Sequence, residues 1–291
     1  MIQVLLNSIP PTIVYLLIEY SFSRIYFTLR FFHLAHATSL TLGAYFVYTG
    51  VIIWEWSMWI AIPIAIIVTI LLMIVVNFWI YRPLQNYGVA NWQMMIASLG
   101  LYIVMQNVIS IVWGDSTLSF RNWETKVGHE LLGAFITDIQ IISFVVSVIL
   151  LVLSWLFVEK TNIGRQIKAI SSNSQLSTIL GVSRNKAITW SVALGTGLAA
   201  CASILIAADT DMTPTMGFNW LLYAVVALII SGMGKMRHLL LGALLLATAQ
   251  HMVAYYLDSK WMNAVAYIIL IVFLFFRPSG FSGKQIKKNN L

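Results

Sequence analysis

The sequence predicts an all-α polytopic membrane protein, a bundle of eight or nine transmembrane helices with one long polar loop on the cytoplasmic side. Three observations predict it. Of the 291 residues, 60% are hydrophobic and 9% charged, whereas a water-soluble surface calls for roughly 25% charged residues. The apolar residues come in continuous runs of about 20, the length an α-helix needs to cross about 30 Å of hydrocarbon at about 1.5 Å per residue. The runs do not alternate polar with apolar, which argues against a barrel, and lipid tolerates no unpaired backbone amides.

The runs fall at about 3–23, 36–54, 57–80, 93–113, 139–158, 187–208, 218–232, 238–257 and 261–276, the seventh and ninth being short. The first carries Pro10 and Pro11 inside its apolar stretch and lacks a small-residue cleavage site, so it reads as a retained span rather than a signal peptide. Trp54, Trp56, Trp59, Trp113, Trp123 and Trp261 gather at one expected membrane boundary, with Trp79 and Trp92 at the other. Indole rings favour that interface, so they support the spans and mark no binding box. Two connections exceed the usual two to eight residues between packed helices, Gly114–Asp138 and Glu159–Arg184, and both are candidates for partner contact. No second domain or low-complexity segment is expected, so residues 1–291 read as a single transmembrane domain.

The cations set the expected orientation. Of 17 Lys and Arg, only Arg121, Lys126 and Lys260 fall on one side when the N-terminus is outside and the C-terminus cytoplasmic, as the positive-inside rule requires. The net charge of +7 is spread over several short inner loops. That distribution suits anionic membrane lipid and not nucleic acid.

Lys160 to Lys186 holds five Lys and Arg between two apolar runs. The stretch from Ile163 to Ile170, and that from Asn173 to Leu180 with apolar residues at 176, 179 and 180, predict one or two short amphipathic helices along the cytoplasmic face. Gly181 is placed to stop the second. Such a segment either pads the membrane edge or docks a cytoplasmic subunit.

Ionisable and polar groups within spans are costly and usually face a cavity or a partner. Glu19 is mid-helix in the first span, positioned to line a pathway or to pair with Arg24. His36 opens the second span, with Gly43 two turns on permitting close helix approach. Gln106-Asn107 and Gln250-His251 are polar pairs that either bond between helices or line a pore. His33 and His36 have no third ligand nearby, and the other histidines are scattered, so no metal site is expected. Cys201, the single cysteine, reads as a small packing residue. No carboxylate pair, activated nucleophile or phosphate-binding loop is visible; Gly232-Met233-Gly234-Lys235 lacks the length and the preceding strand of a nucleotide loop. Catalysis by this chain is not expected.

Several stretches together resemble the Liv-type permeases, the membrane subunits of ABC importers for branched-chain amino acids. They are Leu34-Ala35-His36-Ala37 with Gly43-Ala44-Tyr45, Tyr81-Arg82-Pro83-Leu84, Leu99-Gly100 with Gln106-Asn107, Ile163-Gly164-Arg165-Gln166-Ile167-Lys168-Ala169 through Leu180-Gly181-Val182, the small-residue run Gly195 to Ala202, and Arg277-Pro278-Ser279-Gly280-Phe281. The resemblance runs from about residue 12 to 284. It implies that residues 160–186 are a coupling loop, with Gly164, Arg165, Lys168, Ala169, Asn173 and Gly181 meeting the ATPase; Glu19, His36, Gly43, Gln106 and Asn107, read from their own place within the spans, are the candidates for the translocation pathway. It further implies two ATP-binding cassette subunits, a second permease subunit, an extracytoplasmic solute-binding protein, and ATP and Mg held in the partner subunits with no cofactor here. This chain departs from the family pattern at His33-Leu34-Ala35-His36-Ala37, at Ser172-Asn173, at Ser231 to His238 and at Gln250. Permeases for urea, amides or sugars, and an ion-driven secondary transporter, are the competing expectations; the last would need paired intramembrane acids and broken-helix repeats that the sequence lacks.

Overall fold

The computed structural model describes residues 2–121, 128–131, 134–232, 236–277 and 279–281. Trp123, Lys126, Met233, Gly234, Lys235 and Pro278, all named above, lie outside the described residues.

The chain is a helical, multi-span membrane protein. Its elements are α1 (Ile2–Leu29), α2 (His36–Tyr48), α3 (Met58–Val76), α4 (Arg82–Asn86), α5 (Asn91–Trp113), the hairpin β1 (His129–Leu131) and β2 (Ala134–Ile136), α6 (Asp138–Lys160), α7 (Asn162–Ser172), α8 (Ser174–Ile179), α9 (Arg184–Asp209), α10 (Met216–Ser231), α11 (Met236–Tyr256) and α12 (Met262–Phe276). Among the described residues, seven helices are long and apolar enough to cross a membrane. α1, with 28 residues, and the shorter apolar α10 complete the set of expected runs.

Helix ends differ from the expected ones where packing outside the apolar run continues the element. α1 extends to Leu29 rather than 23, because Ile25 and Leu29 join a buried cluster with Phe31, Met73, Tyr81, Ile188 and Val192. The third span extends to Asn86 rather than 80, as α3 passes through a wider turn at Asn77–Tyr81 into α4. A similar wide turn, Thr49–Ile53, prolongs α2. Such π-turns are rare single-turn bulges inside α-helices.

The contacts divide the chain into two compact units, one of Met1–Tyr20, Thr125–Val145 and Leu222–Leu291, the other of Ser21–Glu124 and Val146–Leu221. In the second unit α2, α3 and α9 pack on one another. Lipid gives apolar side chains no reason to prefer one another, so close approach of small residues carries this packing. A Cβ on Gly43 would lie 2.8 Å from Ala200 O, and one on Gly195 2.9 Å from Ser21 O. Ala199, Ala200 and Ala202 are fully buried beside them. In the first unit α11 packs on α12. There Tyr15 donates to Gln250 Oε1 at 2.7 Å, Gln250 Nε2 donates to Met262 O at 3.3 Å, and Phe281 N donates to Ile230 O at 2.9 Å.

Candidate coupling surface and pathway residues

The basic inner segment forms two helices, and capping explains why. Thr161 Oγ1 accepts from Gly164 N at 3.0 Å to start α7, and Asn173 Oδ1 accepts from Leu176 N at 3.0 Å to start α8. Each such cap contributes about 1 kcal/mol. Gly181 ends the pair as expected. Its φ of +85° is the left-handed conformation that glycine adopts without a Cβ clash, and Gly181 N and Val182 N bond to Thr178 O and Ser177 O, both at 3.0 Å.

α7 is fixed to the spans around it. Gly164 is buried where a Cβ would stand 2.5 Å from Phe157 O, at the end of α6. Ile167 and Ile170 are fully buried with Ala187 of α9, and Ile163 and Val182 close over them. Arg30 donates to Ser171 O and, at 3.1 Å, to Ser172 O. A cation on the last carbonyls of a helix is favourably placed against the helix dipole. Arg30 has φ +67°, an uncommon conformation for a side chain with a Cβ, directly after the last residue of α1. Thr28 Oγ1 lies 3.1 Å from Ser171 Oγ and 3.0 Å from Ser191 Oγ, and Ser191 Oγ donates to Arg24 O at 2.9 Å. One chain of polar contacts thus joins α7, α1 and α9.

The expected ATPase-facing residues of α7 are largely occupied within the chain. Lys168 pairs with Glu159, Arg165 donates to Asn162, and the Ala169 carbonyl accepts from Asn173 N. α8 differs. Leu176, Ile179 and Leu180 are 54%, 82% and 74% exposed, an apolar tip on an otherwise polar segment. The sequence shows their spacing, and the fold adds their exposure. Arg30, a mere topological cation in the sequence, is the other residue whose role only the fold shows.

The pathway candidates separate by environment. Glu19 is fully buried, accepting from Ser231 Oγ at 2.8 Å. His36 is fully buried with Nε2 3.0 Å from Ser21 Oγ, and its ring lies 6.2 Å from that of His33, which packs edge-on to Tyr81 at 4.9 Å. Gly43 is a helix contact. Gln106 Nε2 donates to Ser110 Oγ at 3.4 Å, and Asn107, exposed on α5, donates to Ile103 O at 2.7 Å. Gln106 and Asn107 are neighbours on α5, and His36 and Gly43 share α2. Among the described residues, no group of three His, Cys, Asp or Glu is placed to hold a metal.

At the other long connection the described residues are stapled. Leu118 bridges to Met212 through N–H···O bonds of 3.0 and 2.9 Å, and Arg121 pairs with Asp211 at 2.6 Å and donates to Asp209 O at 3.2 Å.

A multi-span helical bundle whose one amphipathic loop is capped, anchored at its first helix and apolar at its second has the form of a transport permease. The sequence profile of the family described as branched-chain amino acid transport system, permease component, matches residues 4–274, and the chain belongs to that family. It is 26% identical over 209 residues to the high-affinity branched-chain amino acid transport system permease protein LivH of Escherichia coli (strain K12), covering 70% of this chain and 67% of that one. It is 24% identical over 309 residues to the permease protein BraD of the corresponding system of Pseudomonas aeruginosa, covering 97% and 96%. It is 22% identical over 277 residues to the probable branched-chain amino acid transport permease protein LivH of Methanocaldococcus jannaschii, covering 90% and 86%. The fold is similar to that of PsaBC from Streptococcus pneumoniae in complex with Fab, with a TM-score of 0.52 at 12% identity over 94% of this chain and 91% of that one.

Proposed function

We propose that the whole chain acts as one permease domain of an ABC importer that moves branched-chain or related amino acids across the cytoplasmic membrane. Two ATP-binding cassette subunits would bind and hydrolyse ATP with Mg, a second permease subunit would complete the membrane part, and an extracytoplasmic binding protein would deliver the solute. The N-terminus lies outside and the C-terminus in the cytoplasm, which sets α7 and α8 on the ATPase side and the Arg121–Asp211 staple on the receptor side.

The observation that carries this reading is the exposed apolar tip of α8 beside an α7 fixed to the bundle. Burying Leu176, Ile179 and Leu180 in a partner removes their apolar surface from water, at roughly 25 cal/mol per Å². The fixed α7 then conveys any displacement of the tip to α9 and α1, because only contacts that differ between two states can drive a conformational change. Of the loop residues first expected to meet the ATPase, Gly164 serves the α7–α6 contact, Asn173 and Gly181 shape α8, and Arg165, Lys168 and Ala169 support α7. Gln106 and Asn107 are the residues best placed for a pathway.

The test is reconstitution. The chain, two cassette subunits, the second permease and the binding protein in sealed vesicles are expected to take up leucine, isoleucine or valine only with ATP. Uptake driven by an ion gradient without ATP, or failure of the cassette subunits to co-purify, would overturn the reading.

A further inference from the structure

A carboxyl buried in a helix bundle needs either a cation or a proton, and Glu19 has no cation beside it among the described residues. It is fully buried on α1, and the ion pairs among those residues are Arg121–Asp211, His129–Asp138 and Lys168–Glu159. Its Oε1 meets Ser231 Oγ at 2.8 Å, while its Oε2 is buried with no hydrogen-bond partner. An ionised carboxylate accepts on both oxygens, so a charge here would be half satisfied and out of reach of water. A carboxyl in that position takes up a proton instead.

The surroundings of Ser231 show where that proton is used. Its Oγ lies 2.8 Å from Glu19 Oε1, 2.7 Å from Ala227 O and 3.4 Å from Leu239 O. One hydroxyl proton cannot serve three oxygens. Ala227 O, four residues back on α10, is the shortest contact and the acceptor a serine inside a helix commonly takes. With the hydroxyl proton there, the two oxygens at 2.8 Å repel unless the carboxyl carries a hydrogen and donates it to Ser231 Oγ. The chain from Glu19 through Ser231 to Ala227 O then has one proton for each short contact, and no member of it is charged.

Ser231 stands where α10 is gripped from other sides as well. Gly232, with φ +70°, leads the chain out of the helix. A Cβ on Gly242 of α11 would lie 2.5 Å from Ala227 O, and one on Gly280 2.7 Å from Ile229 O. Phe281 N donates to Ile230 O at 2.9 Å. α11 and the turn at Gly280 thus hold this end of α10 by close backbone approach, and α1 holds it through one carboxyl.

We propose that Glu19 is a proton-holding site, whose neutral carboxylic acid donates to Ser231 Oγ and fastens α1 to the end of α10, in place of a charge lining a pathway. The assignment goes beyond the importer reading and does not depend on it.

Infrared difference spectra of the full chain in lipid bilayers at neutral pH, unsubstituted minus Glu19→Gln, test it by cancelling every other carboxyl. The carbonyl stretch of one protonated carboxylic acid is expected to vanish in the variant, with the carboxylate bands unchanged. In Ser231→Ala the same band should remain and move to higher frequency, because the acid has lost its acceptor. Thermal unfolding gives a second readout. Glu19→Gln keeps an N–H donor for Ser231 and should hold the midpoint, whereas Glu19→Ala, which has none, should lower it. Loss of carboxylate bands in Glu19→Gln, an acid band that stays in place in Ser231→Ala, or a midpoint as low for Gln as for Ala would each overturn the proposal.

Discussion

α7 and α8 are adjacent, similarly polar and joined by one residue, Asn173, yet their surroundings are opposite. α7 buries Gly164, Ile167 and Ile170 and spends its cations on contacts within the chain. α8 buries only Ser177 and exposes three apolar side chains. Charge on this segment is satisfied within the chain or by water, while the apolar surface of α8 is left open to be covered. A helix that transmits a push must be fixed to what it moves, and a helix that receives the push must be free to be covered.

The largest expected effect comes from breaking the fixed half. Gly164→Leu forces a side chain into the end of α6, and overpacking of this kind costs about 1–3 kcal/mol or more. Thermal unfolding followed by fluorescence-detected gel filtration should show a lower midpoint, with coupled ATP hydrolysis lost as α7 leaves its seat. Next is the free half. Ile179→Asp with Leu180→Asp should leave the midpoint unchanged, because both residues are exposed, while recovery of the cassette subunits falls by tenfold or more, about 1.4 kcal/mol; unaltered recovery would erase the contrast between the helices.

A smaller effect is expected at their anchor. Arg30→Ala removes hydrogen bonds from a charged donor, worth about 1.5–3 kcal/mol when well sheltered and less at this exposed position, while keeping the unusual backbone. Arg30→Gly removes the same bonds but relieves that backbone. Both should weaken transport-coupled hydrolysis, with glycine the more stable of the two; equal coupling in wild type and both variants would show that the bond to Ser171 and Ser172 transmits nothing. The smallest change is Lys168→Ala. Its pairing with Glu159 is partly exposed, and such pairs contribute about 0–1 kcal/mol, so midpoint and cassette recovery should both stay near the wild-type values.

Most of the fold was legible because membrane spans announce themselves by length and composition. α2, α5 and α9 lie within a few residues of the expected runs. What escaped depends on neighbours far along the chain. The extension of α1 to Leu29 follows from packing against α3 and α9, and the wide turns at Thr49 and Asn77 have no local signature. At the coupling surface the two caps and Gly181 are local features and could be read in advance. The occupancy of Lys168 and Arg165 by Glu159 and Asn162, and the grip of Arg30 on α7 from more than a hundred residues away, could not. Gln106 and Asn107 stood out as polar residues in an apolar run, but only the fold shows which of them faces outward.

On the proposed function, α8 touches the cassette subunit and α7 does not. A photo-crosslinking residue at Ile179, compared with one at Lys168 in the assembled transporter, tests it most directly. A strong crosslink to the cassette subunit is expected from 179 and little from 168. A crosslink from 168 with none from 179 would contradict it.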